Sequence, residues 1–282
     1  MNITINGKIA DIILEKEKNV GEIIANLEQW LSGLGHRLSA ISINGKKIQV
    51  SEIEDFLSLD IDSVKSLDLE TSSIAQLTAE SLLNILDDIK YYESLNMEDK
   101  KNFLDNWKQS AQALFVSENI GDLYSILINA FAGRGLSSQA AASITEERLR
   151  EVKEPQRELE TLKTILDETC SRLTDISLDL QTGKDMRAAQ TIQLFSSVTE
   201  KMFRIINQLN LQGLISEKGN IEKPFSETIN ELVSMIKDLF DAYERHDTVL
   251  VGDIAEYEAA GKLQELYTAC MDAYEECCRD KG

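Results

Sequence analysis

Residues 155–181 read PQRELETLKTILDETCSRLTDISLDLQ. Within this stretch Leu159, Leu166, Leu173 and Leu180 recur every seven residues, and Val152 extends the series upstream. Leu162 and Ile176 fall three residues after Leu159 and Leu173. That spacing lays one continuous apolar stripe along a long helix. Pro155 has no N–H and would clash inside a helix, but it suits the first helical position, and Gly183 suits the stop.

The device repeats downstream. A second helix is predicted over Asp185–Leu211, with Ile192, Phe195, Met202, Ile206 and Leu209 on its seam. A third carries Phe225, Ile229, Leu232, Ile236, Leu239 and Tyr243. A fourth carries Val249, Leu263, Leu266 and Cys270, with Gly252 and Ala259 small enough for close approach. Matched lengths and short connections predict an up-down-up-down four-helix bundle over residues 141–282.

Upstream, residues 73–140 predict three helices and a connector. One spans Leu77 to Tyr92, and a second runs from about Glu98 through Phe103, Trp107 and Leu114. The third covers Leu123 to Phe131 and stops at Gly133-Arg134-Gly135, and Leu136–Ser143 is small and polar enough to serve as the connector.

The first 72 residues have a different period. Met1–Ile5 alternates as a half-buried strand does, Asn6-Gly7 is a tight-turn dipeptide, and Ala10, Ile12 and Leu14 continue the alternation. Helical spacing takes over at Val20, Ile23, Ile24, Leu27, Leu31 and Leu34, with Gly35 as terminator. Ile41 and Ile43 form a further strand, Asn44-Gly45 a second tight turn, and Leu67 and Leu69 a last strand. With M-N-I-T-I at the start, G-K at Gly7-Lys8, I-N-G-K-K-I at Ile43–Ile48 and S-L-D-L at Ser66–Leu69, this stretch resembles the ubiquitin-like family. The resemblance implies an α+β β-grasp domain over residues 1–72. Conjugated members end in a free diglycine after the last strand. Here that place reads Glu70-Thr71-Ser72-Ser73 and the chain continues, so the resemblance implies a fused structural or docking module rather than a covalent modifier. The outward positions Thr4, Asp11, Ser42, Asp68 and Glu70 are polar or acidic, with Ile9 and Ile13 as single exposed apolar residues.

Composition narrows the function classes. The 282 residues are 43% hydrophobic and 28% charged, which is globular, and a formal net charge of −20 repels nucleic acid and anionic lipid and favours partners with basic surfaces. No run of about 18 apolar residues predicts a membrane span. The N-terminus has no basic flank before an apolar core, so no signal peptide is expected. Four cysteines, at 170, 270, 277 and 278, are too sparse and clustered for a disulfide framework and fit a reducing, cytoplasmic compartment.

Candidate chemistry is thin. Carboxylate di-iron bundles need two Glu-x-x-His pairs, but the histidines are His36 and His246, and Tyr243 stands three before the latter. Helical rise puts Cys170 and Cys270 roughly 18 Å apart along the bundle, too far to share a metal or a disulfide. Gly183-Lys184 lacks the glycines and strand of a phosphate loop, and two such histidines build no catalytic triad. His246 suits a structural role at a helix C-terminus. We therefore expect no catalytic residue, no metal and no cofactor.

Glu256 falls in the heptad series of Val249, Leu263 and Cys270, where a carboxylate needs a partner. Arg172 on the first helix stands at its level, which predicts a register-setting Glu256–Arg172 ion pair with Lys237 as the fallback. Leu211, Leu214, Ile215 and Ile221, in a loop longer than bundles need, form a candidate interaction loop: a lid over the bundle end, the favoured reading, or an exposed contact.

The expected function is that of a non-enzymatic interaction, scaffold or adaptor protein, chaperone-like in the manner of acidic helical proteins that hold clients by a helix face. Its partner would be a protein met through the helical surface or the β-grasp domain. Two alternatives come from other classes. One is an enzyme or small-molecule sensor with a pocket where the two domains meet, and the other is an assembly unit that self-associates through the bundle.

Overall fold

The computed structural model describes residues 1–10, 17–48, 53–215 and 225–280. The chain divides into two compact units, Met1–Ala142 and Ser143–Gly282.

The first unit opens with a five-stranded mixed sheet. Its strands are β1 (Asn2–Ile5), β2 (Lys8–Ile9), β3 (His36–Ile43), β4 (Lys46–Lys47) and β5 (Ser66–Ser73), in the order β2-β1-β5-β3-β4. β1 and β5 run parallel at the centre, and the remaining pairs are antiparallel. Both predicted hairpin turns form. Asn6 and Gly7 have φ of 50° and 74°, and Asn44 and Gly45 have 52° and 79°. Two successive left-handed residues match the twist of the flanking strands, which is why Asn-Gly is favoured there. Helix α1 (Val20–Gly33) is capped by the Asn19 side chain and lays Val20, Ile23, Leu27 and Leu31 inward; the first three of these meet Ile3, Ile41, Ile43, Leu67 and Leu69 from the sheet. The turn of helix α2 (Ile53–Leu57) precedes β5. Asp11, Ile12, Ile13 and Leu14, read as part of the second strand, lie outside the described residues.

Where three helices and a connector were expected, the chain forms α3 (Ile74–Ser94), α4 (Met97–Lys108), α5 (Ala111–Asn119) and α6 (Gly121–Phe131). The helix predicted through Leu114 breaks at Gln109-Ser110, because the Ser110 hydroxyl accepts from the Ala113 N–H and starts a new helix. Tyr92, Phe103, Trp107 and Phe131 close into an aromatic cluster with centroids 4.9–5.6 Å apart. The expected connector is instead the start of α7 (Ser138–Lys153), within which the boundary between the two units falls. Ser137 caps it through the Ala140 N–H.

The second unit is helical. Helix α8 (Pro155–Thr174) begins at the proline as predicted and continues, after a small irregularity at Asp175, as α9 (Ile176–Gln181). Then come α10 (Asp185–Leu211), α11 (Phe225–Glu244), α12 (Thr248–Ile254) and α13 (Ala260–Asp280). Val152, Leu159, Leu162, Leu166, Leu173 and Ile176 are buried, as are Ile192, Phe195, Met202, Ile206 and Leu209 facing them. Each fully buried leucine contributes about 2 kcal/mol of transfer free energy.

The fourth seam departs from its heptad. Between α12 and α13, Ala255–Ala259 forms one π-helical turn, which admits an extra residue. The buried stripe upstream is Val251, Gly252, Ile254 and Ala255; Glu256 is only half-buried, and Val249 stands 72% exposed.

Candidate functional site

Opposite charges meet where α7, α8 and α10 come together. Glu151, 2% exposed, accepts from Arg204 through Nε (2.9 Å) and Nη2 (3.0 Å) and from Arg148 at 3.4 Å. Lys201 bridges Glu147 (2.8 Å) and Glu158 (2.9 Å), and Arg150 Nε also reaches Glu158 at 3.3 Å. Burial alone would raise the Glu147 carboxyl. The Lys201 hydrogen bond, with the charges of Lys201, Arg148 and Arg204, outweighs it and holds Glu147 below its ordinary value. Burial alone would lower the Lys201 ammonium, but the hydrogen bonds and charges of Glu147 and Glu158 raise it above the usual lysine value. Glu147 and Lys201 are thus each held in the charged form. That suits an arrangement that fixes helix register, since an acid or base for catalysis needs a pKa displaced towards neutrality. A signal for this network was present in the sequence: Glu151 and Glu158 share a stripe seven residues apart, and Lys201 and Arg204 share a face three apart.

The ion pair expected between Glu256 and Arg172 does not form. Arg172 Nη2 bonds Glu168 Oε1 at 2.6 Å, one turn back on its own helix, and the fallback, Lys237, is exposed and makes no ion pair with Glu256. The π turn explains this: it rotates Glu256 off the seam, where the carboxylate lies beside Tyr257 and needs no buried cation. In the candidate loop, Gly213 takes φ of 62°, the Leu214 N–H returns to Leu209 O, and Ile215 is buried in the helical core with Leu214 against it. Leu211 is half-buried at the end of α10. Of the four, Ile215 is buried and Leu211 and Leu214 are part-buried, and Ile221 lies outside the described residues. Cys170 lies 3.5 Å from Ala260 O, ten residues before Cys270, a separation of about 15 Å at helical rise. Burial pushes the Cys270 thiol up to about 12, so it is inert at neutral pH. No group of three His, Cys, Asp or Glu residues capable of holding a metal occurs among the described residues. No helix among them is long and apolar enough to cross a membrane.

Two concavities stand out. In the first unit, Tyr91, Leu95, Phe103, Asn102, Asn106 and Trp107 line an open groove along α3 and α4. Beneath it Trp107 Nε1 donates to Asp88 at 2.9 Å, and Asp88 has a raised pKa because burial and the charge of Asp87 outweigh that hydrogen bond.

In the second unit a cleft of about 250 Å³ opens at the end where α9 turns into α10 and α11 turns into α12. Leu180, Ala188 and Val251 form its apolar floor, with Tyr243, Asp185, His246 and Thr248 around it. Gly183 (φ 73°) and His246 (φ 55°) make the two turns. His246 lies past the end of α11, exposed, its N–H bonded to Tyr243 O. On the stretches flanking these turns Met186 is 77% exposed, and Leu178, Tyr243, Val249 and Leu250 are exposed too; of the five only Tyr243 lines the cleft. The sequence had placed Tyr243 and Val249 on inner seams; both are exposed, because each seam has run past the last residue that the facing helices bury. Gly183-Lys184 serves a different bond: Lys184 Nζ and Arg187 Nε reach the buried carboxylate of Asp179 at 3.6 and 3.1 Å.

Family models match two parts of the chain. Residues 1–73 match the model described as the TP0873 N-terminal domain, which ends where β5 ends. Residues 157–269 match a domain of unknown function, DUF8042, which takes in the cleft and both of its turns. An uncharacterized protein of Treponema pallidum (strain Nichols) is 21% identical over 266 residues, covering 94% of each chain. No solved structure matches.

Proposed function

We propose that the protein is a non-enzymatic interaction protein, a scaffold or adaptor of chaperone-like kind, and that it docks a protein partner at the open end of its second unit. In this reading residues 1–72 are a ubiquitin-like β-grasp module. What supports it is the parallel central pair β1 and β5, the hairpins on either side, and α1 lying against the sheet. The helices from Pro155 onward are read as an up-down-up-down four-helix bundle, supported by one continuous core drawn from α8 to α13.

The observation that carries the functional reading is that Leu178, Met186, Tyr243, Val249 and Leu250 are each exposed on the stretches flanking the α9–α10 and α11–α12 turns. Single exposed apolar residues are ordinary, but five of them on two turns at one end of the unit are the part of this surface that most favours a contact. The sheet offers a poorer dock: its described edge strands are two residues long, and β4 consists of Lys46-Lys47, a charged edge that discourages strand addition. The test is capture from native lysate with the full chain as bait, set against the double variant Met186→Ser, Val249→Ser. A partner held by the natural chain and lost by the variant is the expected result. Equal capture by both moves the dock elsewhere.

A further inference from the structure

We propose that the groove along α3 and α4 in the first unit binds a short neutral oligosaccharide, independently of the dock proposed for the second unit. The groove holds about 570 Å³, within the roughly 300–1,000 Å³ of small-ligand sites. Its floor is Leu95 and Phe103, part-buried, over Trp107, which is 5% exposed. The floor is fixed in advance. The Trp107 N–H is held by Asp88 at 2.9 Å, and its ring packs on Tyr124 and Phe131 at 6.0 and 5.3 Å between centroids.

The two rims differ in chemistry. On α3 the rim is the Tyr91 ring, 59% exposed, with its centroid 6.0 Å from that of Phe103. On α4 it is Asp99, Asn102 and Asn106, all exposed lining residues on one helix face, separated by rises of about 4.5 and 6 Å. The Asn102 and Asn106 side-chain amides have no hydrogen-bond partner among the described residues, and Asp99 accepts from Asn96 Nδ2 through one oxygen.

An amide donates and accepts at once, as a hydroxyl does. A pyranose ring carries hydroxyls around its edge and C–H bonds on its faces, so it stacks on Tyr91 while its edge reaches the α4 ladder. The ladder spans about 10 Å, longer than one ring, which selects a chain of sugars over a monosaccharide. Anionic sugars are disfavoured: no lysine or arginine lines the groove, Asp99 does, and the neighbouring Lys100 is laid over the Tyr92 ring at 4.8 Å. An apolar peptide would strip water from the ladder without replacing its hydrogen bonds.

The test titrates the full chain with neutral tetrasaccharides of β-1,4-linked glucose, α-1,4-linked glucose and β-1,4-linked N-acetylglucosamine, with a heparin tetrasaccharide and a polyproline peptide as controls. Affinity is read by calorimetry, and position by NMR of the Asn102 and Asn106 side-chain amides. One or more of the neutral sugars is expected to bind and shift both amides, and neither control to do so. Tyr91→Ala and Asn106→Leu are each expected to weaken that binding about tenfold, with the melting temperature unchanged for Asn106→Leu because its side chain is exposed. Tyr91→Phe keeps the stacking face and should bind as the natural chain does. The leucine variant is decisive, since a hydroxyl-bearing ligand loses a partner there and an apolar one gains contact. Binding of none of the three sugars overturns the proposal, as does sugar binding that Asn106→Leu leaves unchanged. Heparin bound as tightly at the same amides, or polyproline bound there and strengthened by Asn106→Leu, overturns it in favour of a charged or a peptide ligand.

Discussion

Gly252 is the residue where the space between two helices is set. A Cβ placed there would lie 2.5 Å from Ser177 Oγ and 3.4 Å from its Cβ, so the hydroxyl would have to turn aside for α12 to keep its approach to α9. Gly252→Ala is expected to cost no more than about 1 kcal/mol in chemical denaturation, since what must move is a rotatable hydroxyl and alanine favours the helix. Adding Ser177→Ala removes the clashing oxygen and should recover most of that loss. A double variant as unstable as the single one would show that the backbone, not the hydroxyl, sets the spacing. Arg204 governs a different kind of constraint. Its fork holds the buried Glu151 carboxylate, and Arg204→Met leaves that charge to Arg148 alone, for an expected loss of about 3 kcal/mol in the same measurement.

At the scale of the element, the π turn at Ala255–Ala259 decides which face of the fourth segment is buried. A π turn is an α-helix with one residue too many, so deleting a residue inside it restores regular pairing while both flanks keep their phase. Deletion of the exposed Glu258 is therefore expected to change stability by no more than about 1 kcal/mol. Deletion of Thr268, also exposed but within regular α13, turns everything after it by about 100° and takes Cys270 and Ala273 out of the core. Thermal melts of the two deletions should thus differ widely; similar losses would contradict the insertion account. The sequence held a trace of this feature. The heptad puts a carboxylate at 256 on its seam, which the sequence reading answered with an ion pair to Arg172; a slip of register answers it as well. The break at Ser110 was legible in the same way, since a serine three residues before Ala113 is a capping residue as readily as a helical one.

For the molecule as a whole, the charge network ties stability to pH from both sides. Glu147 is held below its ordinary value in the folded chain, so its contribution is present above the unfolded value of 4.5 and drains away as pH falls below it. Lys201 is raised, so its contribution is complete below 10.5 and drains away as pH rises through the folded value. Melting temperature against pH should show a plateau between these limbs. In Lys201→Gln the deficit relative to the natural chain should shrink as pH drops below 4.5, since the lost partner is then protonated in either case. A deficit constant with pH would assign the effect of Lys201 to packing of its stem.

What the sequence by itself determined is the set of local patterns: the seam from Val152 to Ile176, the start of α8 at Pro155, the span of α10, both Asn-Gly turns and the inward face of α1. Each follows from periodicity or a backbone preference within a few residues, and neither needs a distant neighbour. Only the tertiary structure decided the rest. Glu151 and Arg204 stand 53 residues apart, and Arg172 prefers Glu168 because a partner one turn away costs no burial. The cleft is made by two turns separated by some sixty residues, and which ends of the apolar seams stay open to water there is fixed by how far the facing helices reach, a property of the assembled helices that no single segment carries.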